Sequence, residues 1–206
     1  MAGKEVAKKT QKAENTAQAI RAEAFRLMDI YGYEGISIQM ICRNCNISVG
    51  TFYNYFSSKE DLNTELMREN DQWFEEKIQS DLQTEDPCKF LYTFFDMYGE
   101  MNERIGTDFY NRTVGRRKRD PKAEANRPMH RVLEEFIWKK QQEGLIRKEK
   151  RASDIADQSF ALVRGVILDW CGLNGQYNLR PEIREVVRII LNYYLTDAAK
   201  AAATDL

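Results

Sequence analysis

The chain has 206 residues, of which 43% are hydrophobic, 31% charged and 11% aromatic, with a formal net charge of -1 at pH 7. This composition excludes disordered and collagen-like chains, and no apolar run is long enough to predict a membrane span. The four cysteines do not suggest a disulfide scaffold, so we expect a cytoplasmic protein of one or two domains.

The first predicted helix is marked by apolar residues at helical spacing. They are Ile20, Ala24, Leu27, Met28 and Tyr31. This stripe ends at Gly32, which suits the left-handed conformation common at helix ends. Strand signals are weak along the whole chain, so we expect an all-α fold.

Two short helices are predicted next, from Ile38 to Arg43 and from Val49 to Tyr55. Ser37 and Ser48 are their predicted amino-terminal caps. The connection between them has the length of a helix-turn-helix turn, and Asn46 suits its left-handed backbone. Helices this short are unstable alone and need the preceding helix to pack on. The residues predicted to fill this small core are Ile38, Ile41, Ile47 and Phe52.

The remainder of the chain also has helical spacing. Ser58 to Asp61 resembles a capping box that begins a long helix, and Pro87 breaks that pattern. Further helices are predicted over 90–98, over 129–143 ending at Gly144, from Ser153 to Leu173 and from Pro181 to Leu195. Residues 116–128 indicate a loop or a short irregular helix. Their basic run, Arg116 to Arg119, favours a solvated loop over a nucleic-acid patch.

The second short helix carries an unusual surface, because its exposed positions are uncharged. Gly50 lets the backbone approach a partner, Thr51 and Asn54 can bond to base edges, and Tyr53 can pack on a thymine methyl group. Val49 belongs to the same surface. These residue types predict contact with the major groove of DNA.

Contacts with the phosphate backbone are predicted at the ends of the neighbouring helices. Tyr55 lies at the end of the second short helix and Lys59 follows it, where phosphate contacts would fix the register of the helix. Ser37 precedes a helix amino terminus, whose free N–H groups attract phosphate.

The motif from about Thr16 to Leu66 resembles the DNA-binding domain of the TetR family of transcriptional regulators. The resemblance rests on the segments Tyr31-Gly32-Tyr33, Ser37-Ile38-Gln39-Met40-Ile41, Ile47-Ser48-Val49-Gly50-Thr51-Phe52-Tyr53-Asn54-Tyr55-Phe56 and Ser58-Lys59-Glu60-Asp61-Leu62. It covers about a quarter of the chain. Cys45-Asn46 departs from the family's usual Ala-Gly, although Asn accepts the same backbone.

The resemblance implies a homodimer whose helices near 153–173 and 181–195 form an intersubunit bundle. Each subunit would insert the helix Val49–Tyr55 into a major groove of double-stranded DNA, with half-sites ~34–36 Å apart in a palindromic operator. A small-molecule effector would change the spacing of the two helices and release the protein from DNA, as expected of a repressor. Such a protein is not expected to be an enzyme or to need a cofactor or metal.

The sequence therefore predicts a chain divided into four segments. Residues 1–14 form a flexible basic arm, 15–62 the helix-turn-helix domain, 63–197 a helical effector-binding and dimerisation domain, and 198–206 a frayed tail. The aromatic residues predicted to line an effector pocket are Phe94, Tyr98, Phe109, Tyr110 and Trp170. Without a pocket, an architectural DNA-binding role would fit better.

A second hypothesis comes from the spacing of Cys42 and Cys45, which matches a thiol-redox motif. Metal binding is disfavoured, because the other possible ligands, Cys88, Cys171 and the single histidine His130, are distant in sequence. We expect both cysteines to be structural and keep a redox sensor or oxidoreductase as the alternative.

Overall fold

The computed structural model describes residues 2–107, 110 and 127–204. These residues form helices and contain no strand, which confirms the predicted all-α fold. An isolated antiparallel bridge joins Ile146 to Leu195. Contacts divide the chain into two compact units, residues 1–69 and 70–206, and the division falls within a long helix. Phe109 and the basic run 116–119 lie outside the described residues.

The amino-terminal unit contains three helices and the start of a fourth. These are α1 (Ala2–Gly35), α2 (Ile38–Asn44), α3 (Val49–Tyr53) and the first turns of α4 (Lys59–Asp81). A kink in α1 at Gly32, with φ 71° and ψ 162°, lies at the predicted helix end. The stripe of apolar residues on α1 is buried from Ile20 to Met28, so this face supports the two short helices.

Helix α1 begins at Ala2, within the segment that the sequence predicts as a flexible basic arm. The segment is rich in Ala, Lys, Glu and Gln, which are the residues that favour helix most strongly. At the other end of the chain, Asp197–Thr204 forms an alanine-rich helix, which overlaps the predicted tail 198–206. We number this last helix α9.

In the described residues of the carboxy-terminal unit, the rest of α4 is followed by five further helices. These are α5 (Pro87–Ile105), α6 (Pro128–Gln142), α7 (Ala152–Gly172), α8 (Leu179–Tyr194) and α9. Helix α5 packs on α8, and α7 packs on both α6 and α8. None of the described helices combines the length and apolar character needed to cross a lipid bilayer.

Two predicted helix starts need correction. Pro87 ends the preceding helical pattern and is also the first residue of α5. Asp86 caps this helix, since its side chain accepts a hydrogen bond from the Lys89 amide at 2.6 Å. Ser153 does not cap α7, which begins one residue earlier. There the Arg151 guanidinium binds the Asp154 carboxylate at 2.7 Å and 2.9 Å, which holds the first turn without a serine cap.

Candidate nucleic-acid interface

The two short helices are defined by serine caps at their first turns. Ser37 Oγ accepts a hydrogen bond from the Met40 amide at 3.2 Å, and Ser48 Oγ accepts one from the Thr51 amide at 3.0 Å. Between the helices, Asn46 has φ 53°, as its position in the sequence predicts. The predicted helix-turn-helix is therefore present, with α3 ending at Tyr53 rather than at Tyr55.

Buried side chains fix the orientation of α3. Phe52 and Ile41 are completely buried, and Phe56 is nearly so. Ile38 and Ile47, predicted to share this core, are only half-buried at its edge. Because Phe52 points inward, the opposite side of α3 faces outward.

That outward side is the recognition face, which we define as Val49, Gly50, Thr51, Tyr53, Asn54 and Tyr55. Val49 is 38% exposed and Tyr53 is 53% exposed, although both are large hydrophobic side chains. A Cβ atom added to Gly50 would meet Ser48 Oγ at an ordinary 3.7 Å. Packing within the domain therefore does not require a glycine there, which favours an external reason for its small size.

Two predicted contact residues of the recognition face already have structural roles. Thr51 Oγ1 lies 2.8 Å from Ser48 Oγ, so its hydroxyl takes part in the cap. Thr51 and Tyr55 are half-buried, whereas Gly50 and Asn54 are exposed. The direct contact surface is thus concentrated on Val49, Gly50, Tyr53 and Asn54.

Lys59 and Ser37, predicted to contact phosphate, also make internal bonds. Lys59 Nζ donates to the Ile36 carbonyl at 2.8 Å and lies 4.2 Å from the centroid of the Tyr33 ring. The Ser37 hydroxyl oxygen is used as the α2 cap. The structure gives Lys59 a role in joining α4 to the segment between α1 and α2.

A cation that the sequence analysis did not single out is Arg43, which is exposed on α2. The other cationic side chains described in the amino-terminal unit all bind neighbours: Arg21 pairs with Glu69, Arg26 with Glu23, Arg68 with Glu65, and Lys59 with Ile36. Among those described side chains, Arg43 alone has no bonding partner. Its exposure and position in the motif could have identified it.

The environment of Cys42 and Cys45 does not favour redox chemistry. Both thiols are free, Cys42 is buried, and Cys45 Sγ contacts the Ala19 carbonyl at 3.6 Å. Burial raises the pKa of both thiols, which disfavours the reactive thiolate. In the described part of the chain, no three His, Cys, Asp or Glu residues are arranged to hold a metal.

The predicted pocket residues lie in the core of the carboxy-terminal unit. Phe94, Tyr98, Tyr110 and Trp170 are each less than 10% exposed. Phe160 contacts two of them: its ring centroid lies 6.0 Å from that of Phe94 and 5.4 Å from that of Tyr98. The four predicted pocket residues are therefore buried in the carboxy-terminal unit.

His130 lies against the same aromatic cluster. Its ring stacks on Phe160 with centroids 5.6 Å apart, and its Nε2 atom lies 2.9 Å from an Asp157 carboxylate oxygen. The Nδ1 atom is buried without a hydrogen bond, and its nearest carboxylate oxygen, on Glu134, is 3.7 Å away. The cluster therefore contains one buried polar atom whose bonding capacity is unused.

Together, the capped short helices, the inward Phe52 and the outward uncharged face define a helix-turn-helix DNA-binding domain. Residues 20–66 match the family model described as bacterial regulatory proteins, tetR family. The amino-terminal domain thus belongs to the TetR family, which confirms the resemblance carried by its motif.

Solved structures share the helical fold along most of the chain. The fatty acid degradation regulator FadR from Bacillus halodurans has a TM-score of 0.72 at 19% identity, covering 85% of this chain and 94% of its own. A TetR transcription regulator from Haloarcula marismortui has a TM-score of 0.72 at 16% identity, covering 89% and 100%. A regulator from Saccharomonospora viridis, in complex with choline, has a TM-score of 0.70 at 18% identity, covering 89% and 99%. The sequence matches no curated protein.

Proposed function

We propose that the chain is a cytoplasmic homodimeric repressor that binds a palindromic DNA operator and is released by a small molecule. The observation that carries the proposal is the recognition face, where hydrophobic and amide side chains are exposed. A surface that only met water would normally carry Lys and Glu. Exposed Val49, Tyr53 and Asn54 instead suit a partner with both methyl groups and hydrogen-bonding edges, which the major groove provides.

Exposed apolar residues on α7 and α8 support the dimer. On α8, Val186, Ile189 and Tyr193 share one face, and Ile189 and Tyr193 are 58% and 59% exposed. On α7, Leu162 and Leu168 are about half exposed, and Gly165 lies between them with open space around its Cβ position. A second copy of these two helices would cover both faces and complete a four-helix bundle.

The effector site is proposed at the aromatic cluster around Phe160. An apolar or aromatic ligand entering there would separate these rings, while His130 Nδ1 could bond to a polar group of the ligand. FadR from Bacillus subtilis was solved with stearoyl-CoA, and the Saccharomonospora viridis regulator with choline, so related folds accept small molecules. Native mass spectrometry of the purified protein tests this part, since a copurified ligand would appear as added noncovalent mass.

Selection of bound DNA from a random pool tests the function as a whole. The purified full chain should enrich an inverted repeat whose half-sites lie about one helical turn apart, ~34–36 Å. Enrichment of an asymmetric single site would contradict the two-fold arrangement. Failure to enrich any sequence would overturn DNA recognition itself.

A further inference from the structure

The recognition helix lacks the side chains that read G·C pairs. Residues 48–55 contain no Arg, Lys, Asp, Glu or Gln. Guanine presents two acceptors in the major groove, which are matched by the paired donors of Arg or by Lys, and the cytosine amino group is matched by a carboxylate. The chemistry of α3 therefore offers no strong partner for either base of a G·C pair.

The same helix does present partners for both bases of an A·T pair. The Asn54 side chain is exposed, and its amide combines one acceptor with donors, which matches the N6 and N7 atoms of adenine. Val49, 38% exposed, presents methyl groups that can contact the C5-methyl group of thymine. Val49 is the first residue of α3, and Asn54 is the cap at its carboxy-terminal end.

The hydroxyl groups on this face discriminate poorly between bases. Thr51 Oγ1 is 2.8 Å from Ser48 Oγ, so the cap uses part of its bonding capacity. The Tyr53 hydroxyl can donate or accept, and a single group of this kind matches several base edges. Discrimination consequently falls to Val49 and Asn54.

From this chemistry we propose that the recognition face reads A·T pairs, with Val49 contacting a thymine methyl group and Asn54 bonding to an adenine. The proposal rests on the proposed function, since it requires α3 to lie in the major groove. It adds the chemical class of the base pairs that the operator must present to α3.

The thymine contact is tested by removing a single methyl group from the DNA. After selection, fluorescence anisotropy compares an operator containing thymine with one containing deoxyuridine at each conserved position. At one position in each half-site, deoxyuridine should weaken binding about fourfold, as expected for one buried methyl group. Val49→Ala should remove most of that difference, because the partner of the methyl group is then lost.

The adenine contact is tested with 7-deazaadenine, which lacks the N7 acceptor. This base should weaken binding by about tenfold at one position per half-site, within the range for a bidentate base contact. The Asn54→Ala variant should bind the modified and unmodified operators equally. Both variants alter exposed side chains, and circular dichroism checks that they remain folded.

The outcomes separate this inference from the function on which it rests. Specific binding to conserved G·C pairs, with a loss on 7-deazaguanine that Asn54→Ala removes, would overturn A·T reading and leave DNA recognition intact. Equal losses from the modified bases in the variants and the unaltered protein would also overturn it. Absence of any sequence-selective binding would instead refute the proposed function.

Discussion

Tyr53 is the residue at which exposure and predicted role coincide most clearly. Its ring is 53% exposed and meets the buried Phe52 ring only edge-on, with centroids 5.6 Å apart. We expect Tyr53→Ala to weaken specific operator binding by at least about tenfold, as for an aromatic anchor at an interface. Because the ring contributes little to the core, circular dichroism should show a folded protein. Unchanged affinity in a gel-shift titration would contradict the assignment.

Arg43 is the residue that we expect to contact the phosphate backbone of DNA. Its guanidinium is exposed and lacks a partner among the described side chains, so a phosphate contact would not require breaking an ion pair. We expect Arg43→Ala to weaken binding to all sequences about equally and to reduce the salt slope by roughly one unit. Arg68→Ala is the matched control, because Arg68 is also exposed but pairs with Glu65 at 2.7 Å. A base-selective loss in Arg43→Ala would contradict the phosphate role.

The structure changes the expectation for Lys59. Sequence reasoning predicts that Lys59→Ala lowers the salt slope in the same way, and that remains a prediction. The hydrogen bond from Lys59 Nζ to the Ile36 carbonyl supports a second prediction. Because this bond is lost in Lys59→Met, the variant should lower the free energy of unfolding of the domain by about 1–2 kcal/mol. Urea denaturation followed by circular dichroism measures this loss. A variant as stable as the unaltered chain would show that the bond contributes little.

Short sequence patterns predict the conformations of single residues well, but they do not predict contacts between residues that are distant in the chain. The caps at Ser37 and Ser48 and the left-handed Asn46 depend on neighbours within four residues, so the sequence was sufficient. The Lys59–Ile36 bond and the isolated Arg43 depend on which residues folding brings together. Sequence alone therefore identified the recognition face better than the cations around it.

At the level of elements, helix ends were predicted where a serine or glycine marked them and missed elsewhere. Gly32 and Gly144 have φ 71° and φ 75°, at two predicted helix ends. The start of α7 was misplaced because an ion pair, Arg151 with Asp154, replaces the serine cap. Such a pair has no sequence signature as distinct as a capping serine.

The contact between the α4–α5 loop and α6 depends on charges, which gives a pH-dependent stability. Glu85 binds Lys139 Nζ at 2.5 Å and Lys140 Nζ at 2.7 Å, and the Lys140 side chain is only 2% exposed. Hydrogen bonds from Lys139 and then Lys140 lower the pKa of Glu85 from 4.5 to about 2. The stabilisation is therefore fully present above pH 4.5 and is lost as the pH falls towards 2.

We expect Glu85→Gln to lower the Tm at pH 7, because Lys140 then keeps only Glu143 as its carboxylate partner. The difference from the unaltered chain should shrink as the pH falls from 4.5 towards 2, where Glu85 itself becomes protonated. Thermal melts followed by circular dichroism across this range measure the difference. Glu135→Gln, an exposed position on α6, should leave the Tm unchanged. A Tm difference independent of pH would exclude the charge as its cause.

For the whole molecule, the helical pattern predicted the fold class but not the packing of the aromatic residues. Helical spacing places Phe94 and Tyr98 on one side of α5, and either a core or a pocket is compatible with that spacing. The structure packs both rings against Phe160, a residue more than 60 positions later in the chain. Which aromatic residues surround a ligand depends on this long-range packing.

Under the proposed function, dimerisation would connect the carboxy-terminal helices to operator recognition, because each copy would supply one recognition face. If Ile189 lies at the centre of the proposed bundle, Ile189→Asp would place a carboxylate in an apolar interface at a high desolvation cost. We expect this variant to be monomeric in sedimentation velocity and to lose the affinity gained from binding two half-sites together. Trp138→Asp is the matched control, since Trp138 on α6 is 59% exposed against 58% for Ile189 and lies outside the proposed bundle. The control should remain dimeric and bind the full operator, whereas a dimeric Ile189→Asp would exclude α8 as the interface.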